Sequence, residues 1–218
     1  MICFDYINEY IRSTIKEDQG ILLELRKFAE LNNIPIIQPE TAKLILILGL
    51  MAKPQKILEA GTAIGYSSIL LAGTLRDGGI IDTIEDDDKM LEIARHNIRR
   101  AGCQDRINSI AGDAIEVLRC LDKKYDFILL DAAKGQYIEL LPDCIRLLNT
   151  GGVLVSDNVL FKGMVANDRL VLRRKKTIVK RLREYLNRIC NNPDLETSIL
   201  PVGDGVAISI KLGNSANE

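Results

Sequence analysis

Tryptophan is absent from the 218 residues, and histidine occurs once, at His96. That one histidine sits in the polar helical pattern "ARHNIRRAG". It has no partner for a histidine-based acid–base relay or a histidine zinc centre. The five cysteines (3, 103, 120, 144 and 190) are scattered, with no Cys-x-x-Cys pair. This argues against a zinc ribbon and a disulfide framework, and it fits reduced thiols in the cytoplasm. An excess of one charge is also missing: 29 Lys and Arg stand against 30 Asp and Glu, for a net charge of −1. Any attraction to nucleic acid must therefore come from a local patch. The longest apolar run, "LILILGLMA" (44–52), is too short to cross a bilayer. The opening "MICFDYINEY" lacks the basic stretch and apolar run of a secretory segment. A cytoplasmic protein that does not enter the membrane is the expectation.

There is likewise no internal repeat, low-complexity tract or linker rich in Pro, Gly or Ser. The length suits one domain, 1–218, able to bury a core of its own. Residues 1–54 read as a helical cap, in "YINEYIRSTIK", "ILLELRKFAELNN" and "PETAKLILILGLMA", with Pro39 at a first-turn position. From 55 to 218 short apolar runs alternate with helical periods: "KILEA", "GIIDTIE", "RINSIAGD", "YDFILLD" and "GVLVSDN". Two further runs, "ETSILPV" and "VAISIKL", flank Gly203-Asp204-Gly205. Apolar runs separated by helices predict a Rossmann-like α/β fold with a seven-stranded, mostly parallel sheet. The last two runs predict an antiparallel C-terminal hairpin.

In such sheets a ligand sits beyond the carboxyl ends of the strands. The stretch "ILEAGTAIGYSSIL" (57–70) delivers Glu59, Gly61 and Gly65 to that edge. A dinucleotide site would read Gly-x-Gly-x-x-Gly, whereas Ala63 stands between these two glycines. Glu59 would repel a phosphate and suit an ammonium group, and the helix start at Tyr66 and Ser67 suits a carboxylate. Together they describe an amino-acid moiety. Glu85, ending the next run, can accept hydrogen bonds from two ribose hydroxyls. Asp113 and Ala114 follow the third run and would flank an adenine. Amino acid, ribose and adenine add up to S-adenosyl-L-methionine. Turn chemistry alone is the competing account of Glu85 and Asp113.

"YDFILLDAAKGQY" places Asp131 at the fourth strand's tip with Lys134 three residues on; "GGVLVSDNVLFKG" places Asp157 and Asn158 at the fifth. Two carboxylates and an amide oxygen make a hard donor set for Mg²⁺ or another divalent cation. Such a cation can chelate two neighbouring substrate oxygens and acidify a hydroxyl. Lys134 is then placed to act as general base.

These residues resemble the metal-dependent class I O-methyltransferases, the group of catechol and caffeoyl-CoA O-methyltransferases. The likeness runs through "PETAK", "EAGTAIGYSS", "IE", "GDA", "DAAK", "SDN" and "GDGVAISIK". It implies methionyl-end contacts from Glu59, Gly61, Ser67 and Ser68, and a ribose contact from Glu85. Asp113 and Ala114 would border the adenine, Asp131, Asp157 and Asn158 would hold the metal, with Asp131 also near the cofactor, and Lys134 would be the base. The segment "IPIIQPETAK" resembles a lid in which Gln38 gives a backbone contact. A homodimer through the N-terminal helices is implied as well.

Within that group the wording is most similar to the bacterial branch that methylates the 5-hydroxyl of the tRNA wobble uridine, whose vicinal oxygens mimic a catechol. A tRNA anticodon loop is accordingly the expected partner. The run "RLVLRRKKTIVKRLREYLNRI" (169–189), read as one helix, would meet RNA phosphates with Arg173, Arg174, Lys175, Lys176, Lys180, Arg181 and Arg183. Tyr137 is a candidate to stack on the base. The competing readings are a small catechol-like or caffeoyl-CoA-like acceptor, a nicotinamide-dependent oxidoreductase, and a non-catalytic RNA-binding protein.

Overall fold

The computed structural model describes residues 2–213. Three helices come first: α1 (Asp5–Thr14), α2 (Gly20–Asn32) and α3 (Pro39–Ala52). Strands and helices then alternate: β1 (Lys56–Ala60), α4 (Tyr66–Ala72), β2 (Ile80–Glu85), α5 (Asp88–Arg100), β3 (Ile107–Ala111), α6 (Ala114–Cys120), β4 (Tyr125–Leu130), α7 (Tyr137–Leu147) and β5 (Leu148–Ser156). A final helix, α8 (Lys176–Cys190), precedes β6 (Leu195–Leu200) and β7 (Val206–Lys211).

The seven strands lie in the order β3-β2-β1-β4-β5-β7-β6. The first five are parallel, while β7 is antiparallel to both β5 and β6. This is the Rossmann-like fold that the alternating runs predict. The central strands β1 and β4 are covered on both faces, which is why "ILEA" and "FILL" are unbroken in burial. One face carries Leu118, Tyr137, Leu141, Leu182 and Tyr185 from α6, α7 and α8. The other carries Leu25, Ala29, Ile45, Leu70 and Ile98 from α2 to α5, so the cap helices extend the core. Among the described residues no helix is long and apolar enough to cross a membrane.

Local chemistry sets the helix starts that matter for the site. Pro39 opens α3, where its missing N–H costs nothing. The Asp87 side chain accepts from Lys89 N and Met90 N to open α5, and Asp113 accepts from Ile115 N and Glu116 N to open α6.

The single helix expected over 169–189 is not formed. Asp168–Leu170 and Arg173–Lys175 are separate 3₁₀ turns, and α8 begins only at Lys176. The physical reason is burial. Leu170 and Leu172 remain about half exposed, and no position before Ile178 and Val179 supplies an apolar stripe for the sheet to cover.

Candidate functional site

Strands β1, β2, β4 and β5 end on one edge, and backbone hydrogen bonds stitch their tips together. Gly61 N and Thr62 N donate to Ile84 O, Asp131 N donates to Ala60 O at 2.9 Å, and Asp157 N donates to Leu130 O at 3.0 Å. This brings the chain's glycine loop, Glu85, Asp131 and Asp157 around one cavity of about 460 Å³. Pro35 to Gln38 line the same cavity from the cap side.

Gly61 has φ +103°, and a Cβ there would lie 2.4 Å from the Asp131 carbonyl oxygen. Only glycine lets the β1 loop pass so close to the fourth strand tip. Gly65, at φ +85°, turns the chain into α4. Glu85 takes hydrogen bonds from Ala63 N at 2.7 Å and Asp87 N at 3.1 Å, and it lines the cavity.

The expected site residues divide into two shells. Gln38, Gly61, Tyr66, Ser67, Glu85, Ala114, Asp131, Lys134, Asp157 and Asn158 line the cavity. Glu59, Gly65, Ser68 and Asp113 stand behind that lining. Glu59 is fully buried, and its Oε2 accepts hydrogen bonds from Ser68 and from Thr83. Its Oε1 has no partner, an acceptor that the chain itself does not fill. Burial pushes the Glu59 carboxyl up to about 7, against the opposing hydrogen bonds of Ser67, Ser68 and Thr83. Asp113 is occupied with capping α6 and with accepting from Gln136 Nε2 at 3.0 Å. Asp113 thus lies between the lining residues Gly112 and Ala114, and Gln136, which donates to it, also lines the cavity.

Asp131 and Asp157 face each other across neighbouring strands. Burial raises both carboxyls above the ordinary range, and their mutual repulsion adds to the effect at Asp157. Lys134 Nζ lies 3.5 Å from Asp131 Oδ1, and Asn158 N donates to Asp157 Oδ1 at 2.7 Å. One lysine does not neutralise the buried Asp157 and the partly buried Asp131 together, so the donor set fits a divalent cation. Among the described residues no trio of His, Cys, Asp or Glu side chains gathers as a metal site. The set here is two carboxylates and the Asn158 amide.

Tyr137 is not at the rim. It is fully buried, and its hydroxyl donates to Leu130 O at 2.9 Å and Asp157 O at 3.1 Å, bracing the two acid-bearing tips. The apolar spacing of α7 turns this side chain inward, against Tyr185. No single-residue motif reveals that role.

The roof is held by two arginines that carry no recognisable pattern. Arg26 donates to Ile37 O at 3.2 Å, to Asp18 at 2.8 Å and to the Tyr66 hydroxyl, and its guanidinium covers the Tyr66 ring. Tyr66 in turn donates to Asp18 at 2.6 Å. Burial alone would push the Asp18 carboxyl up; the bonds from Tyr66 and Arg26 outweigh it and hold it below its ordinary value. Arg12 donates to Gln38 Oε1 at 2.7 Å and to both Glu40 oxygens at 2.9 Å.

Of the seven basic side chains expected to face RNA, two are engaged inside the protein. Arg181 donates to Gly135 O and Glu139, and Arg183 to Val165 O, Met164 O and Asp168. Lys175 lies over the Phe161 ring. Arg173, Arg174, Lys176 and Lys180 are exposed.

A parallel sheet with an antiparallel terminal hairpin, a glycine loop, an acid ending β2 and an acid–amide tip beside them define a class I methyltransferase fold. The sequence model of the O-methyltransferase family matches residues 12–212, and the chain belongs to that family. A catechol O-methyltransferase of Niastella koreensis is 30% identical over 95% of this chain and 97% of its own. The crystal structure of a Staphylococcus aureus protein provisionally named a caffeoyl-CoA O-methyltransferase superposes with TM-score 0.88 at 34% identity, covering 95% of this chain and all of the other. An O-methyltransferase of Bacillus cereus, solved with S-adenosylhomocysteine, gives TM-score 0.83 at 27% identity over 94% and 97% of the two chains. The chain is an enzyme of this methyl-transferring family.

Proposed function

We infer that this enzyme transfers the methyl group of S-adenosylmethionine to one of two neighbouring oxygens on a catechol-like or caffeoyl-CoA-like acceptor, with the help of a divalent cation. The observation that carries the reading is the meeting of Asp131, Asp157 and Asn158 with Lys134 at the same cavity that Gly61, Ser67 and Glu85 line.

The residues divide the work. Glu85 accepts hydrogen bonds from the ribose, Ala114 walls the adenine, and Ser67 with the loop N–H groups takes the methionyl carboxylate. Glu59, from behind, offers its unpartnered oxygen toward the ammonium end. Asp131, Asp157 and Asn158 would hold the cation, which when bound acidifies an acceptor hydroxyl and anchors the adjacent oxygen. Lys134 Nζ, as the neutral amine left when its ammonium has released a proton to solvent, would take the hydroxyl proton; the oxygen then forms its bond to the methyl carbon as the carbon–sulfur bond breaks. Positioning the two reactants in line supplies much of the rate.

A second reading keeps this chemistry and places it on tRNA, at the 5-hydroxyl of the wobble uridine, giving 5-methoxyuridine. It is favoured by the four exposed cations Arg173, Arg174, Lys176 and Lys180, next to the turn that leads from Asn158. The relatives' names point instead to small acceptors, so the catechol-type reading stands first. Labelled S-adenosylmethionine should be offered with a catechol and, separately, with 5-hydroxyuridine-containing tRNA, each with Mg²⁺ and with a chelator. Cation-dependent label on the catechol alone supports the first reading, and label on the wobble nucleoside transfers the case to the second. Label that ignores the chelator would overturn the role given to Asp131, Asp157 and Asn158.

A further inference from the structure

The segment after Asp157 has an unusual backbone. Asn158, Phe161 and Lys162 all have positive φ (56°, 45° and 56°), followed by Gly163 at 78°. Left-handed backbone is rare for residues with a side chain, and for one as bulky as Phe161 it persists only where neighbours impose it. Those neighbours lie in the turn joining β6 to β7. Val159 N donates to Gly205 O at 2.9 Å, Leu160 N to Asp204 O at 3.1 Å, and Lys162 N to the Asp204 carboxylate at 2.5 Å. Gly205 allows the approach, since a Cβ there would lie 2.4 Å from Leu160 Cγ. The same turn presses on the roof, where a Cβ on Gly203 would meet Thr41 Oγ1 at 2.4 Å.

From this geometry we propose that Asp204 is a positioning residue: its carboxylate pins the strained 158–163 segment and thereby aims the Asn158 amide at the cation that Asp131 and Asp157 share. Asp204 acts through Lys162 N–H. The proposal rests on the metal-assisted reading above. Its structural half, that Asp204 holds the segment, is independent of that reading.

Two variants separate the hydrogen bond from the charge. Asp204→Asn keeps an oxygen for Lys162 N–H, whereas Asp204→Ala removes it. Hydrogen exchange on the metal-free protein reads the segment directly. Asp204→Ala should speed exchange at Val159 and Leu160, whose own acceptors are untouched, at least about tenfold, and Asp204→Asn should not. Mn²⁺ binding measured by calorimetry with S-adenosylhomocysteine present should weaken about tenfold or more in Asp204→Ala. It should stay within about threefold of wild type in Asp204→Asn, with S-adenosylhomocysteine affinity unchanged in both. Unchanged exchange at Val159 and Leu160 in Asp204→Ala overturns the proposal, as does equal loss of Mn²⁺ binding in the two variants. Faster exchange in a protein whose wild type binds no Mn²⁺ leaves Asp204 as the pin and overturns the metal-assisted reading instead.

Discussion

Gly61→Ala tests how closely the cofactor loop and the acid tip depend on each other. The added Cβ would stand 2.4 Å from the Asp131 carbonyl oxygen, 2.7 Å from its carbon and 3.1 Å from Ala132 N, all backbone atoms that no rotamer change can move. Favourable non-bonded contact lies near about 3.5 Å, so loop and strand tip must part by roughly 1 Å. A misplacement of that size at a reacting centre costs about 100-fold in rate, equivalent to about 2.7 kcal/mol of transition-state stabilisation. The φ of +103° adds strain of about 1–3 kcal/mol to the fold, a Tm loss between about 2 and 12 °C. Gly65→Ala is the control. It sits at φ +85°, but its Cβ meets nothing closer than 3.5 Å, so it carries strain without the collision. Both variants should melt earlier, while only Gly61→Ala should lose about 100-fold in kcat/KM, measured by methyl transfer at saturating cation. If Gly61→Ala keeps kcat/KM within about threefold of wild type, the contact with Asp131 does not set the geometry of transfer.

Three further outcomes follow from other contacts. Burial raises Glu59 from its ordinary 4.5 to about 7, so between those values the folded protein holds a proton that the unfolded chain releases. Stability contributed by Glu59 therefore falls as pH rises through that window. Glu59→Gln should flatten the difference in Tm between pH 5 and pH 8, and a slope equal to wild type would refute the assignment. Tyr137→Phe removes the one proton that bridges Leu130 O and Asp157 O. It should cost about 1–2 kcal/mol by denaturant unfolding, and a neutral result would show that the two strand tips need no brace. Arg26→Met keeps the apolar stem but releases Ile37 O, Tyr66 and Asp18. KM for S-adenosylmethionine should rise about tenfold with kcat nearly constant, whereas a loss confined to kcat would mean the roof does not serve cofactor binding.

The order of apolar runs was sufficient for the sheet, because strands buried on both faces leave an unbroken hydrophobic signature that surface helices do not share. Strand-end chemistry was also legible. Asp131, Asp157 and Glu85 each follow a buried run directly, and parallel strands bring their carboxyl ends to one edge whatever the intervening loops contain. What a sequence does not encode locally is direction and depth. Glu59 and Glu85 look alike as acids at strand ends, yet the first is buried behind the lining, bonded to Ser68 and Thr83, while the second lines the cavity.

Tyr137 belongs to the same group, since only the packing of α7 on β4 and β5 turns its hydroxyl onto two strand tips. The basic run after residue 168 shows the limit from the other side. It reads as one helix in sequence, but a helix forms where it can bury a face, and that begins at Ile178. The bonds of Arg12 to Gln38, Arg26 to Ile37 and Lys162 to Asp204 join residues 26, 11 and 42 positions apart. Pairings over such separations are fixed by the tertiary fold, whereas the short-range pattern of glycines, acids and apolar runs determined the fold class and the edge where the chemistry sits.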